Sequence, residues 1–167
     1  MTLRTTIRPA TVDDMAQVQA IYAHHVRNGT GTFEIEVPDV AEMQRRLAEV
    51  QGRNLPFLVT EAHGKIAGYA YANLYRTREA YRFTCEDSVY IDPAFHQQGL
   101  GHALLDKLIY LAAANGFKQM IAVIGGSGNA GSIRLHEKHG FVQVGLLPKV
   151  GFKFDRWLDS VLMQRSL

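Results

Sequence analysis

The feature that most constrains this chain is the stretch 86–111, EDSVYIDPAFHQQGLGHALLDKLIYL. Ser88, Val89, Tyr90 and Ile91 are strand-formers in succession. Asp92-Pro93 then ends the strand, because proline cannot donate to a ladder and restrains the residue before it. The loop that follows closes on Gly99-Leu100-Gly101. Leu104, Leu105, Leu108, Ile109 and Leu111 recur beyond it at helical spacing. Strand, glycine-opened loop and helix start together predict an anion site, since the free N–H groups and the dipole of a helix start carry partial positive charge.

Two common anion-binding patterns do not fit. A dinucleotide fold needs GxGxxG after the first strand of a βαβ unit, with an acid some 20 positions later. Here the glycine pair is in mid-chain and lacks the third glycine. A phosphate-binding P-loop needs Lys-Ser/Thr after its glycines, and His102-Ala103 stands there instead.

The flanking sequence predicts the order β-α-α-β-β-β-α-β-α-β-β. Residues 3–8 read as a strand, and Thr11 with Asp14 as a capped helix start. Met15, Val18, Ile21, Tyr22 and His25 carry the first helix, which Asn28-Gly29 ends. Asp39 and Glu42 open a second helix striped by Met43, Leu47 and Val50. Residues 56–61 and 66–74 read as two strands joined by a turn at 62–65. Residues 75–84, YRTREAYRFT, have three arginines and three aromatics without a clean period, which predicts an exposed positive arm. Residues 119–124 read as a strand, 125–129 as a glycine-rich loop and 132–139 as a short helix with Ser132 as its cap. Residues 141–147 and 157–163 read as the last strands. The expected architecture is one α/β domain of α+β type over residues 1–167, with a mixed, mostly antiparallel sheet flanked by helices.

Composition narrows the function classes. A length of 167 residues with 47 % hydrophobic content suits one folded domain. The net charge of +2 argues against nucleic acid as a partner. No apolar run reaches the roughly 18 residues of a membrane span, and the first ten residues lack the apolar core of a signal peptide. The single Cys85 makes no internal disulfide, and the seven histidines do not fall at metal-ligand spacing. A cytoplasmic protein without a metal is expected.

The loop His96-Gln97-Gln98-Gly99-Leu100-Gly101 resembles the Gln/Arg-x-x-Gly-x-Gly/Ala signature of the GNAT superfamily of acyl-CoA-dependent N-acetyltransferases, with His in the first position. Within that superfamily the chain is similar to the phosphinothricin/methionine sulfoximine N-acetyltransferases. The similarity runs through IRPAT-DD near the start, GYAYA at 68–72, REAYRFTCEDSVYI at 78–91, AVIG at 122–125, SIRLHEKHGF at 132–141 and GFKFDRWLD at 151–159.

The resemblance implies acetyl transfer from acetyl-CoA to the α-amino group of a small amino acid analogue such as phosphinothricin, methionine sulfoximine or methionine sulfone. Peptide N-termini and other small amines are alternative acceptors, and a non-catalytic CoA-binding sensor is the alternative class. Residues 96–101 and His102 would hold the CoA pyrophosphate through backbone N–H groups. Val89, Tyr90 and Ile91 would lie along the pantetheine arm where the sheet splays, and Asn129 and Ser132 would also meet CoA. Glu86 takes the position of the carboxylate base, and burial would raise its pKa toward a useful range. His136 stands where most members have a tyrosine near the thiol, so it would donate a proton to the leaving thiolate or contact CoA. Arg76, Arg78, Tyr81 and Ser88 would read the acceptor, with Phe33 as an apolar wall completed by a second subunit, which implies a homodimer. Taken without the resemblance, Glu86 also reads as a surface acid beside Asp87, and the arginines as a basic surface loop.

Overall fold

The computed structural model describes residues 5–167. Its elements are β1 (Thr5–Pro9), α1 (Met15–Asn28), α2 (Val40–Gly52), β2 (Phe57–Ala62), β3 (Lys65–Leu74), β4 (Thr84–Ile91), α3 (Leu100–Ala114), β5 (Gln119–Gly125), α4 (Ala130–Lys138), β6 (Val142–Lys153) and β7 (Arg156–Ser166). This is the order expected from the sequence. The strands form one sheet ordered β1-β2-β3-β4-β5-β7-β6. Every neighbouring pair is antiparallel except β4 and β5, so the sheet is mixed and mostly antiparallel.

Alternation along β4 assigns the two helical layers. Tyr90 faces α1, where its ring meets Tyr22 edge-on at 5.2 Å. Ile91 points to the other face, toward Gly101 of α3. The core between sheet and helices includes Met15, Val18 and Val26 of α1, Tyr69 of β3, Leu104, Leu105 and Leu108 of α3, and Met120 of β5, all essentially solvent-free. A buried leucine or methionine contributes about 1.5–3 kcal/mol each by leaving water, which is why the apolar stripes place the helices.

Local chemistry explains the boundaries. Asp39 accepts the Glu42 N–H at 2.8 Å and starts α2. Asp14 accepts the Thr11 N–H at 2.7 Å and also receives both Arg8 guanidinium N–H groups at 2.7 and 2.8 Å, tying β1 to the start of α1. A single tight turn, Val12–Asp14, therefore precedes the helix proper. The β2–β3 hairpin turns at His63 and Gly64, both in the left-handed region, as expected.

Several boundaries differ from expectation. Of the first predicted strand, residues 3 and 4 lie outside the described residues, and β1 starts at Thr5. The short helix starts at Ala130 and is capped by Asn129, whose side chain accepts the Ser132 N–H at 3.3 Å, so Ser132 is in the first turn and not the cap. The last two strands are longer than predicted and join at Phe154-Asp155, both at positive φ. No glycine marks that turn, so the sequence gives no conventional signal for it.

Candidate active site

The loop after β4 is built by the residues that looked constraining in the sequence. Asp92 accepts the Ala94 N–H at 2.9 Å and closes a tight turn over Pro93–Phe95. Gly99 has φ 78° and ψ 4°, a left-handed conformation that costs other residues roughly 1–2 kcal/mol. A Cβ there would meet open space, so backbone conformation, not crowding, is what calls for glycine. The Ala103 N–H bonds to the Gly99 carbonyl at 3.1 Å. The N–H groups of Leu100, Gly101 and His102 come ahead of that first bond and are free for a ligand.

The sheet opens beside this loop. β4 pairs with β3 over its whole length, from Gly68↔Ile91 to Leu74↔Cys85. It pairs with β5 only from Thr84↔Gln119 to Glu86↔Ile121. Beyond Glu86 the strands part, and the β5 residues 122–125 continue to pair with β7 alone. The result is a cleft of about 900 Å³ between the free edge of β4, the 96–102 loop and the inner face of α4. An unpaired strand edge can take an extended amide-bearing chain as an extra strand. The free helix start at one end suits a phosphate group.

Most residues singled out from the sequence converge here. Ser88, Val89, Tyr90 and Ile91 line the cleft from β4. His96, Gln97, Gly99, Leu100, Gly101 and His102 line it from the loop and helix start; Gln98 of the same loop does not. The His96 side chain turns back, its Nε2 3.2 Å from the Ile91 carbonyl oxygen, where the His25 Nε2 also approaches at 2.8 Å. Asn129, Ser132 and His136 line the cleft from the α4 side.

Glu86 is at the vertex but on the other face of β4, with Ser88 and Tyr90. It is partly buried and is not part of the cleft lining. Burial, reinforced by the charge of Asp87, raises its pKa from 4.5 to about 7. A carboxylate poised there can accept a proton from an ammonium near neutral pH. Tyr71 stands opposite Ser88 across the β3–β4 pair, so this face presents a carboxylate and two hydroxyls around the vertex.

His136 is almost fully enclosed. Its Nε2 is 2.8 Å from Asp87 Oδ2, and its Nδ1 is 2.7 Å from the Ser132 carbonyl oxygen. Burial pulls the imidazole pKa down, but the hydrogen bond and charge of Asp87, with the Ser132 carbonyl, outweigh it, and the net shift is upward. Sequence reading treated Asp87 only as a neighbour of Glu86. The signal was present: consecutive acids on a strand face opposite sides of the sheet, so only one of them can be on the outer face of a given layer.

A second residue escaped the sequence reading. Asp159 of β7 accepts the Ser127 hydroxyl and the Lys149 N–H, each at 2.9 Å, and its carbonyl accepts the Gly126 N–H at 2.8 Å. It fixes the loop ahead of Asn129. Its partners come from the 126–127 loop and from β6, brought together only by the pairing of β7, so no spacing could reveal it.

Of the predicted acceptor residues only Ser88 lines the cleft. The arm is exposed, as expected, and contains one tight turn, Glu79–Tyr81. Arg76 lies over the Tyr75 ring at 5.1 Å, and Tyr75 meets Tyr81 edge-on at 5.7 Å. Arg76, Arg78 and Tyr81 do not line the cleft. The arm bridges β3 and β4 at the closed end of the splay, nearer Glu86 than the glycine loop. Phe33 is 38 % exposed and its ring packs on Gly125 and Gly151. It backs the end of β5, while Thr30 and Gly31 of the same loop reach the cleft. Among the described residues, no group of three or more His, Cys, Asp and Glu side chains is arranged to hold a metal, and no helix is long and apolar enough to cross a membrane.

Comparison with known proteins agrees with this geometry. Residues 7–162 match the family model described as an acetyltransferase (GNAT) domain. The chain is 54 % identical over 162 residues to phosphinothricin N-acetyltransferase of Alcaligenes faecalis, covering 97 % of this chain and 82 % of that protein. It is 41 % identical over 165 residues to the L-methionine sulfoximine/L-methionine sulfone acetyltransferase of Salmonella typhimurium, covering 97 % and 94 %. Among solved structures, a GNAT superfamily phosphinothricin acetyltransferase from Sinorhizobium meliloti, in complex with acetyl-CoA, superposes with a TM-score of 0.95 at 43 % identity, covering 100 % of this chain and 89 % of that one. An open β4–β5 vertex facing a glycine-opened helix start, a family model spanning nearly the whole chain and relatives well above 30 % identity lead to one conclusion: the chain belongs to the GNAT family of acetyltransferases.

Proposed function

We propose that the protein transfers the acetyl group of acetyl-CoA to the α-amino group of small amino acid analogues of the phosphinothricin, methionine sulfoximine and methionine sulfone type. The observation that carries this reading is the vertex itself. Pairing between β4 and β5 stops at Glu86, and that residue is a carboxylate with a pKa near 7.

In this reading the N–H groups of Leu100, Gly101 and His102 hold the CoA pyrophosphate, and the free edge of β4 from Ser88 to Ile91 takes the pantetheine amides. Asn129 and Ser132 bound the same channel, and Gln98 contributes at most its backbone. When bound, acetyl-CoA supplies the activated acyl group. Glu86, directly or through a water, takes the proton that frees the acceptor amine for attack. Main-chain N–H groups at the splay polarise the thioester oxygen. His136, held as an imidazolium by Asp87, supplies the proton for the leaving thiolate.

The arm supplies selectivity: Arg76 and Arg78 meet the carboxylate and the second acidic group of the acceptor, with Tyr81, Ser88 and Phe33 around its side chain. The arm's distance from the cleft fits an acceptor that enters from the Glu86 face, opposite the CoA channel. We further propose a homodimer. β6 is an edge strand of the sheet and exposes Val142, Val144, Leu146, Val150 and Phe152. An apolar edge of that length is covered in soluble proteins. The free, buried Cys85 suits a reducing, cytoplasmic setting.

The test is direct. Purified protein with acetyl-CoA should release free thiol when methionine sulfoximine is added, and the product should carry the acetyl group on its α-nitrogen. Absence of release across a panel of amino acids and their sulfone, sulfoximine and phosphinate analogues would overturn the reading.

A further inference from the structure

Asp87 is the first β4 residue beyond the last β4–β5 register pair, Glu86↔Ile121. It is 6 % exposed, and its Oδ1 is buried without a protein hydrogen-bond partner, while its Oδ2 bonds His136. An acid this enclosed is costly unless its charge is used or balanced. The pair it makes reaches from β4 to α4 across the opening of the sheet, where no β5 backbone bridges the two.

The hydrogen-bond pattern fixes the chemistry of that pair. The Ser132 carbonyl can only accept, so His136 Nδ1 carries a hydrogen. The one transferable proton is on the Nε2 side, shared with Asp87 Oδ2 at 2.8 Å. An ionised Asp87 requires an imidazolium, and a protonated Asp87 requires a neutral ring. Phe141 meets the imidazole edge-on at 5.0 Å and restricts its rotation. One position earlier in the chain, on the opposite face of the strand, is Glu86, within reach of the Asp87 charge.

We propose that Asp87 is a positioning residue for acetyl transfer, fixing the orientation and protonation of His136 as the thiol's proton donor while its charge keeps Glu86 basic enough to deprotonate the amine. This rests on the roles given to Glu86 and His136 above. The proton count closes. The acceptor nitrogen passes from ammonium to amine to amide and gives up two protons. As the carbon–sulfur bond breaks, its electron pair stays on sulfur, which takes one proton from the His136 Nε2 side. Both nitrogen protons leave through Glu86 to solvent, and solvent returns one to recharge His136, so one proton is released per turnover.

The groups facing this pair are few. From β4, Cys85 and Glu86 flank Asp87; the Cys85 thiol is pushed up to about 12 by burial and by Asp87, so it stays neutral. From α4, His139 is one turn on, and its Nε2 is 3.1 Å from His102 Nδ1 of α3. From β5, the buried residues Met120, Ala122 and Ile124 bring no titratable group.

Asp87→Asn tests the proposal, because it keeps the shape, removes the charge and offers His136 Nε2 an N–H donor that favours the neutral ring. The His136 ring nitrogens, followed by NMR in the unliganded protein, should titrate about one unit or more lower in the variant. Both limbs of the kcat/KM profile for methionine sulfoximine should move to lower pH, Glu86 having lost a repelling neighbour and His136 its counter-ion. Turnover should fall at least about tenfold, with the acetyl-CoA KM within about twofold of wild type, as expected if no cofactor contact is lost. Asp87→Glu should recover part of the profile.

A uniform fall in rate with both limbs and the His136 titration unmoved would overturn the proposal and leave Asp87 a packing residue. If Asp87→Asn does not fold, the wild-type titration decides: a neutral His136 at pH 7 contradicts the proposed pair. The underlying reading fails separately. If Glu86→Gln keeps wild-type turnover and its acid limb, Glu86 is not the base, while the NMR titration still decides whether Asp87 governs His136.

Discussion

The two halves of β4 belong to one continuous strand and differ in what lies beside them. Residues 84–86 are hydrogen-bonded on both sides, to β3 and to β5. Residues 87–91 are bonded to β3 alone, and their outer edge faces the cleft. In the paired half the backbone is satisfied, and a side chain, Glu86, is what the proposed reaction uses. In the open half the unpaired backbone edge is the proposed binding surface. The difference teaches that one strand can serve as scaffold and as recognition element, with the division at the last register pair. It also explains the placement of charge. Burying Glu86 raises its pKa to about 7, whereas Asp87, one step on, is enclosed but paired with His136.

Four predictions break or sharpen this contrast, from the largest effect to the smallest. If the paired half works through a side chain, Glu86→Gln should lower kcat by about 10²–10³ while acetyl-CoA still binds, as measured by thiol release and calorimetry. The wild-type acid limb of kcat/KM should inflect near pH 7. The same substitution should affect stability in the opposite sense. The folded-state pKa of Glu86 lies above its ordinary 4.5, so the stability it contributes is full below that value and is lost as pH rises through about 7. Glu86→Gln should therefore melt higher than wild type at about pH 8 and alike at about pH 4, by scanning calorimetry at both.

If the open half works through backbone, the helix start that continues it should be sensitive to conformation rather than to side-chain loss. Gly99→Val forces a branched residue into the left-handed region, at a cost of roughly 1–2 kcal/mol. Acetyl-CoA affinity should weaken about tenfold by calorimetry, with little change in acceptor KM. Gln98→Ala, in the same loop but outside the cleft lining, should leave affinity unchanged; an equal loss in both variants would show that side chains bind here after all.

Asp159→Ala removes the side-chain hydrogen bonds to Ser127 of the 126–129 loop and to Lys149 of β6, and should raise the acetyl-CoA KM about threefold to tenfold, corresponding to about 1 kcal/mol. The smallest effect on the fold is expected in the arm. Arg76→Ala and Arg78→Ala should change unfolding free energy by less than about 0.5 kcal/mol in urea, since both side chains are exposed. They should raise the acceptor KM and not that of acetyl-CoA. A shift in acetyl-CoA KM would place the arm on the wrong side of the strand.

Much of this molecule was legible before folding. The order of eleven elements followed from periodicity, and the Asp39 cap and the His63-Gly64 turn followed from local chemistry, because those signals act over four residues or fewer. The boundaries of β6 and β7 did not, because Phe154 and Asp155 turn at positive φ without glycine and the hairpin is held by pairing along its length. Sequence alone points to Ser132 as the cap of α4, three residues past Asn129, because a serine and an asparagine so close together both satisfy the rule and only the backbone path chooses between them.

By itself the sequence determined the family, the helix start at Gly99 and the acid at Glu86, for these depend on residue type and local order. Tertiary structure alone decided that β4 and β5 part after Glu86 and that Asp87 and His136 meet across 49 positions of chain. Those are distances between segments remote in sequence, fixed by how two layers of helices close on a sheet, and no local pattern of residues encodes them.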